Sequence, residues 1–321
     1  MKFEKIYRKA VAVGTARDAR GADEIRRILG DEEARFKKLA AGEIEAYDQD
    51  RLFNPFADTR MLAGDPATEV GRVIVGIDME TQEVLLTYLL NRDFGRKIDL
   101  VIAHHPGGYA LARLNEVMSL QSDILAAHGV NISVAEQLMD KRMGEVERRL
   151  LPANHNRAVD AARVLGLPMM CVHTPADNCV QAHLRDLFDK EKPQRLKDLV
   201  ELLMGIREYR HAARRQTGPK IVSGTDSARC GKIMLEMTGG TEGPKTIYEQ
   251  QALSGVSTIV GMHLSEEALE NAKKVHLNVV IAGHISSDTL GLNLLFDEIE
   301  ADGTLDFVNA SGFERIRRTE R

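Results

Sequence analysis

The stretch RVIVGIDMETQEVLLTYLLNRDFGRKIDLVIAHHP occupies residues 72–106. Two runs rich in β-branched residues, at 72–78 and 98–106, enclose a segment over 80–91 whose apolar residues recur at helical spacing. A strand, a helix and a second strand in this order are typical of an α/β sheet. We therefore predict an α/β fold that begins near Gly71.

The same alternation of predicted strands and helices continues to the end of the chain. A highly charged stretch from Arg185 to Arg215 interrupts it and indicates surface helix, and the pair of units at 257–299 resembles a local repeat. Further strands are predicted at 131–136, 166–173, 220–224, 257–263, 277–284 and 305–310, and further helices at 265–274 and 286–299.

The first seventy residues have a different composition. Short helices are predicted at 3–12, 17–29 and 31–47, and the Pro- and Asp-containing segment 54–70 indicates a loop. We therefore expect two α/β lobes plus an N-terminal helical extension. The predicted divisions are 1–70 for the extension and loop, 71–180 for the N-terminal lobe, 181–219 for a charged helical connector and 220–321 for the C-terminal lobe.

Composition excludes several classes of protein. The 321 residues are 43% hydrophobic and 28% charged, and no apolar run is long enough to cross a membrane. A net charge of −5 and an absence of Trp argue against a nucleic-acid partner. Three cysteines without a C-x-x-C pair, together with a start that lacks a secretory signal, favour the cytoplasm. The same cysteine pattern excludes a thiolate zinc knuckle, so any bound metal is expected to have mainly nitrogen and oxygen ligands.

Histidines gather at the ends of the predicted strands. Five of the ten stand at or directly after the last residue of an apolar run. The carboxyl ends of strands form the ligand-binding edge of an α/β sheet, so these imidazoles are expected where ligands bind. The five are His104, His105, His173, His263 and His284.

Three of these histidines have an acidic residue four positions later. The pairs are His173 with Asp177, His263 with Glu267, and His284 with Asp288. Residues four apart lie on one helix face, so an imidazole and a carboxylate can bind one ion there. Such ligands suit Zn, Fe, Mn or Ni, and several pairs suffice for two ions about 3.5–4 Å apart.

Structural explanations exist for each feature taken singly. A strand-end histidine is often a hydrogen-bonded core residue, and an acidic residue at a helix start is favoured by the helix dipole. The pair of His263 and Glu267 is the weakest, since Ser265 reads as an ordinary helix cap, and we place that pair outside the site.

Three motifs carry a resemblance to a known family. DLVIAHHP at 99–106, CVHTPADN at 171–178 and IAGHISSD at 281–288 resemble the NGG-interacting-factor proteins, often described as GTP cyclohydrolase I type 2 homologues. The resemblance runs from about Asn54 onward. It implies two-lobed α/β subunits in a toroidal homohexamer with a two-metal centre. The metal ligands it implies are His104, His105, His173, Asp177, His284 and Asp288.

One ligand departs from the family pattern. The last acidic position is usually Glu and here is Asp288, whose side chain is one methylene shorter. Either weaker bridging of two ions or terminal coordination of one ion would follow. Asp177 or Asp288 is best placed to bridge the two ions. Because these ligands come from both sides of the charged connector, we expect the two-metal site to lie between the two α/β lobes.

The leading functional hypothesis is a metal-dependent hydrolase. Metal-activated water would open the ring of a small heterocycle, such as the purine of GTP. Glu136, after the strand predicted at 131–135, is a candidate catalytic acid, although a helix-start carboxylate explains it equally. The alternative is a non-catalytic metal-binding regulatory or adaptor protein whose charged connector contacts partner proteins.

Overall fold

The computed structural model describes residues 1–318 of the chain, which form two β-sheets surrounded and separated by helices. Hydrophobic residues fill each strand, and most strands are buried on both faces, as expected for parallel sheets covered by helices. The strands are β1 (Arg60–Ala63), β2 (Arg72–Gly76), β3 (Leu100–Ala103), β4 (Met169–Cys171), β5 (Lys220–Ser223), β6 (Lys232–Glu236), β7 (Val256–Gly261), β8 (Asn278–Ile281) and β9 (Asp306–Asn309).

The helices occupy both outer surfaces and the space between the sheets. They are α1 (Phe3–Ala16), α2 (Ala22–Phe36), α3 (Ala41–Ala46), α4 (Thr81–Phe94), α5 (Gly108–Ala112), α6 (Leu114–Val117), α7 (Leu120–Ala127), α8 (Ile132–Leu150), α9 (Arg157–Val164), α10 (Thr174–Glu191), α11 (Leu196–Gly205), α12 (Arg207–Arg214), α13 (Ile247–Leu253), α14 (Glu266–Lys274) and α15 (His284–Ile299).

The first sheet has the strand order β1-β4-β3-β2-β9, and the second has the order β5-β8-β7-β6. All pairs are parallel except the edge strands β1 and β5, which run antiparallel to β4 and β8. The predicted α/β class is confirmed.

The two sheets repeat one arrangement. In each, an antiparallel edge strand with a register shift pairs with the strand that precedes a central helix, β4 before α10 and β8 before α15. The repeat is therefore larger than the local one that the sequence indicates at 257–299.

Helices α10 and α15 lie side by side between the sheets. In α10, Ala176 and Cys179 belong to the core of the first sheet, whereas Val180 and Leu184 belong to a core of the second. Both sheets thus pack on the same pair of helices, and the amino-terminal ends of these helices lie at the carboxyl ends of β4 and β8.

A glycine sets the distance between these two helices. A Cβ on Gly291 of α15 would lie 2.4 Å from the carbonyl oxygen of Ala176 in α10, far closer than such atoms approach. Because only glycine permits this contact, residue 291 determines how near the first turns of the two helices lie.

The N-terminal residues are part of the packed structure. Phe3, Ile6 and Tyr7 of α1 are fully buried in the core of the first sheet, and β1 forms an edge of that sheet. Residues 1–70 therefore contribute a core helix and an edge strand to the first sheet, in addition to helices α2 and α3.

The strand predicted at 131–136 is wrong, because these residues begin helix α8. The side chain of Asn131 accepts a hydrogen bond from the backbone N–H of Ser133 at 3.0 Å and caps the helix. Ala135, Met139 and Val146 then bury one face. The alternating β-branched residues Ile132 and Val134 favour a strand locally, but the Asn131 cap favours the start of a helix.

The segment 54–70, predicted as a loop, contains the strand β1, and β6 also escapes prediction. Strand β9 lies in the predicted C-terminal unit, yet it pairs with β2 of the first sheet. Short strands of four or five residues carry little periodicity, and their neighbours are decided by tertiary packing.

Within residues 1–318, we find no helix with both the length and the apolar character needed to cross a bilayer.

Candidate metal centre

The paired histidines follow β3 directly. Their backbone N–H groups donate to the carbonyl oxygens of Gly76 and Ile77, at 2.9 and 3.0 Å, so the segment continues beside β2. The ring centroids of His104 and His105 are 5.2 Å apart. Two successive residues thus present imidazoles to one centre.

Each of these imidazoles is held through its Nδ1 atom. Nδ1 of the fully buried His104 lies 3.1 Å from the carbonyl oxygen of Val172, and Nδ1 of His105 lies 2.7 Å from Oδ1 of Asp78. Such outer partners fix the ring orientation of metal-binding histidines and leave Nε2 as the ligand atom.

His173 directly precedes α10 and is held in the same way. Its Nδ1 lies 2.8 Å from Oδ2 of Asp58, which is completely buried and also accepts a hydrogen bond from the hydroxyl of Thr174 at 2.6 Å. Asp177 lies one turn further along α10. Asp58 therefore positions His173 without facing the centre itself.

His284 and Asp288 stand at the start of α15. Nε2 of His284 lies 3.5 Å from Oδ2 of Asp288, and the Asp288 side chain is almost completely buried. Because α15 packs closely against α10 at Gly291, this carboxylate reaches the histidines of the first sheet.

Asp288 faces both halves of the cluster. Its Oδ1 lies 3.5 Å from Nε2 of His104, and its Oδ2 lies 3.7 Å from Nε2 of His105. Asp177 spans the other side, with Oδ1 at 3.4 Å from Nε2 of His104 and Oδ2 at 3.8 Å from Nε2 of His173. All six sequence-predicted ligands are therefore brought together.

Four of the atoms that could bind a metal ion have no hydrogen bonds. Nε2 of His104, Oδ1 of Asp177 and both carboxylate oxygens of Asp288 are buried and have no hydrogen-bond partner among the described residues. Buried polar atoms are almost always satisfied, and an ion bound between these four atoms would satisfy them.

The spacing also fits a divalent ion. Ligand atoms about 2.0–2.2 Å from one ion are separated by about 3.0–3.6 Å, and the imidazole–carboxylate distances here are 3.4–3.8 Å. Three overlapping groups have ligand atoms that all lie within 4.8 Å of one another. They are His104 with His105 and His173, His105 with His284 and Asp288, and His104 with Asp177 and Asp288.

Opposing charges shift the pKa values across the cluster. Burial lowers the pKa of His104, but the carboxylates of Asp288 and Asp177 outweigh it and raise that pKa to about 10. Burial and the neighbouring His104 lower the pKa of His105 to about 4. Burial would raise the pKa of Asp288, yet the imidazoles around it hold it below its usual value. In the metal-free chain, His104 thus keeps a proton between two carboxylates.

Two residues discussed from the sequence take other positions. Glu136 is exposed on α8 and is not among the residues of the cluster or of the cavity beside it. His263, which we place outside the site, has its ring centroid 4.8 Å from that of His284 and lines the cavity. In the repeat, His263 occupies the place after β7 that His105 occupies after β3.

Sequence reasoning also misses the residues that hold the ligands. Asp58 lies in the predicted loop 54–70, and Asp78 is the last residue of the first predicted strand. Asp78 carries a usable signal, since it follows β2 as His105 follows β3. Nothing in the sequence links Asp58 to His173, 115 residues away.

A cavity that is open to solvent adjoins the cluster. His173, Asp177, His284 and Asp288 form its wall on the side of the central helices. Residues 234–238, 240–244, 262–264 and parts of α7 and α13 form the rest. The cluster is thus accessible to a small molecule.

Comparison with solved structures identifies the fold. The chain is similar to a NIF3 superfamily protein from Sphaerobacter thermophilus, with a TM-score of 0.69 and 27% identity over 80% of this chain and 91% of that one. It also resembles reduced HcgD from Methanocaldococcus jannaschii, with a TM-score of 0.50 and 14% identity over 84% and 94% of the two chains, which concerns the fold alone. No protein-family model and no curated protein sequence matches the chain. The predicted resemblance to the NGG-interacting-factor (NIF3) family is confirmed.

Proposed function

We propose that the protein is a metal-dependent hydrolase with a dinuclear centre that opens the ring of a small heterocycle. The proposal rests on four buried atoms of His104, Asp177 and Asp288 that lie together beside a cavity. All four could bind a metal ion, and none has a hydrogen-bond partner among the described residues. The resemblance to GTP cyclohydrolase I type 2 homologues supports ring opening as the reaction, with a purine nucleotide as one possible substrate.

Two divalent ions would be divided between the two sides of Asp288. His104, His173 and Asp177 surround its Oδ1 side, whereas His105 and His284 surround its Oδ2 side. This division favours a bridging role for Asp288 despite its short side chain. Zn, Fe, Mn and Ni all suit such nitrogen and oxygen ligands.

Ions held there would supply a nucleophile at neutral pH by acidifying water. The protein's own residues orient the reaction. Asp58, Asp78 and the carbonyl of Val172 fix the imidazoles, and the cavity walls hold the ring against the cluster. In the reaction, one water is added at a ring carbon and the adjacent carbon–nitrogen bond breaks.

The test is turnover by the full chain reconstituted with each of the four metals. A panel of purine nucleotides, nucleosides and pterin precursors is followed by the ultraviolet change that accompanies ring opening. Metal-dependent turnover that is lost in Asp288→Asn and kept in Asp189→Asn, an exposed change on α10, supports the proposal. Full metal content without turnover of any substrate favours the non-catalytic regulatory alternative.

We also propose a closed homo-oligomer, most simply a hexamer, working in the cytoplasm. The family resemblance and the general preference of soluble oligomers for closed symmetry support the assembly. Light scattering should give a multiple of the 35.6 kDa chain mass. A monomer at micromolar concentration would refute the assembly.

A further inference from the structure

The floor of the cavity beside the metal cluster carries polar groups that the metal ligands do not use. Glu236 ends β6, and Tyr248 and Gln251 project from α13. Apolar side chains such as Met237, Ile247 and Leu264 line the adjoining walls. The cavity therefore combines apolar walls with a polar floor, as small-molecule sites commonly do.

Gln251 is completely buried and only half satisfied. Its Nε2 donates to Oε1 of Glu236 at 2.7 Å, whereas its Oε1 is buried without a hydrogen-bond partner among the described residues. Leaving a buried acceptor unpaired costs about 1–3 kcal/mol. A donor from a ligand in the cavity would remove this cost.

The floor is acidic and lacks cationic partners. None of the cavity-lining residues in the described part of the chain is Lys or Arg, and Glu242 adds a second carboxylate. Burial and the neighbouring Glu242 raise the pKa of Glu236. A carboxylate in such surroundings is stabilised by a ligand that brings N–H donors or positive charge.

We propose that the cavity recognises a flat ring through an amidine-type edge, whose two N–H donors face Glu236 and Gln251. The carboxylate of Glu236 would accept one N–H group and the unpaired Oε1 of Gln251 the other, while the apolar side chains enclose the ring. The inference deepens the proposed function, on which it rests for the reaction at the neighbouring cluster. It assigns recognition to the ring edge, since a phosphate chain finds no cationic side chain in this cavity.

Three probes of equal shape test the inference. Benzamidine, benzamide and benzoate share one ring and differ in the head group, which is cationic, neutral or anionic. Binding to the zinc-loaded full chain is measured by calorimetry. We expect benzamidine to bind most tightly and benzoate at least tenfold more weakly. Benzoate binding as tight as benzamidine would overturn the inference.

Variants locate the binding. Glu236→Gln should weaken benzamidine binding at least tenfold, and Gln251→Leu should weaken it severalfold. Glu249→Gln removes the same charge from an exposed position on α13 and should leave affinity within twofold. Benzamidine affinity that is equal in all three variants would overturn the inference. If Glu236→Gln fails to fold, Gln251→Leu and the order of the three probes decide the question.

The two proposals fail separately. Metal-dependent turnover in a chain that binds no benzamidine would refute only the recognition of an amidine edge. Benzamidine binding that depends on Glu236, in a chain with full metal content and no turnover, would refute only the hydrolase.

Discussion

Replacing Asp288 by Asn removes the one carboxylate that faces both halves of the cluster, and it preserves the shape of the side chain. The carboxylate is buried and lies within 3.5–3.7 Å of the Nε2 atoms of His104, His105 and His284. Both of its oxygens lack hydrogen-bond partners in the metal-free chain, so we expect the loss of this carboxylate to weaken the binding of both ions.

The magnitude follows from mass action. An ion present at a hundredfold excess over its Kd stabilises the folded chain by about 2.7 kcal/mol. Losing a partner of a metal ligand typically costs about 10–100-fold in affinity, and losing a shared ligand should reach the upper end. A loss of about 100-fold leaves about 0.4 kcal/mol of stabilisation at the same metal concentration. For 321 residues the entropy of unfolding is about 0.67 kcal/mol/K, so the difference of about 2.3 kcal/mol corresponds to about 3 °C in Tm.

The assay compares Tm with and without metal within each variant, so changes in metal-free stability cancel. We expect a metal-dependent gain of about 4 °C in the unmodified chain and at most about 1 °C in Asp288→Asn. Asp189→Asn, the exposed control on α10, should keep the full gain. An undiminished gain in Asp288→Asn would refute the assignment of this carboxylate as a shared ligand.

Three further predictions concern the groups around the cluster. Asp58→Asn should weaken metal binding by about 10–100-fold in chelator competition, since His173 loses the carboxylate that orients it; unchanged affinity would exclude this positioning role. Gly291→Ala should lower both Tm and metal affinity, because the added Cβ meets the carbonyl of Ala176, although Ala is favoured over Gly in a helix by about 1 kcal/mol; a higher Tm would contradict the close packing. Asp288 and Asp177 raise the pKa of His104 from its ordinary 6.5 to about 10. Protonation of His104 therefore stabilises the metal-free chain fully below pH 6.5, and this stabilisation is lost as pH rises through about 10. An ion displaces that proton, so the metal-dependent gain in Tm should grow between about pH 7 and about pH 9, and calorimetry in two buffers should detect proton release; a pH-independent gain would show that His104 is not protonated there.

The sequence predicts which residues meet in the cluster because they follow a local rule. His104, His173 and His284 each come at the end of an apolar run, and a strand that ends at a sheet edge delivers the next residue to the ligand-binding side. Asp177 and Asp288 follow at helical spacing. Strand ends and helix spacing are both visible in a few consecutive residues.

The remaining parts of the site depend on contacts between distant segments. Asp58 meets His173 only because β1 pairs with β4, and β1 itself is too short to be recognised in the segment 54–70. Glu236 and Gln251 meet where β6 packs near α13, and β6 also escapes prediction. His263 comes close to His284 because β7 and β8 are neighbours. Strand order is decided by packing between distant segments, and a local sequence pattern does not predict it.

The central claim, that this cluster holds two ions divided by Asp288, is tested most directly by anomalous diffraction from crystals of the chain reconstituted with zinc. The account predicts two anomalous peaks about 3.5–4 Å apart, one on the Oδ1 side with His104 and one on the Oδ2 side with His105 and His284. Crystals that show no peak among these residues at saturating zinc, or a peak elsewhere only, would contradict it.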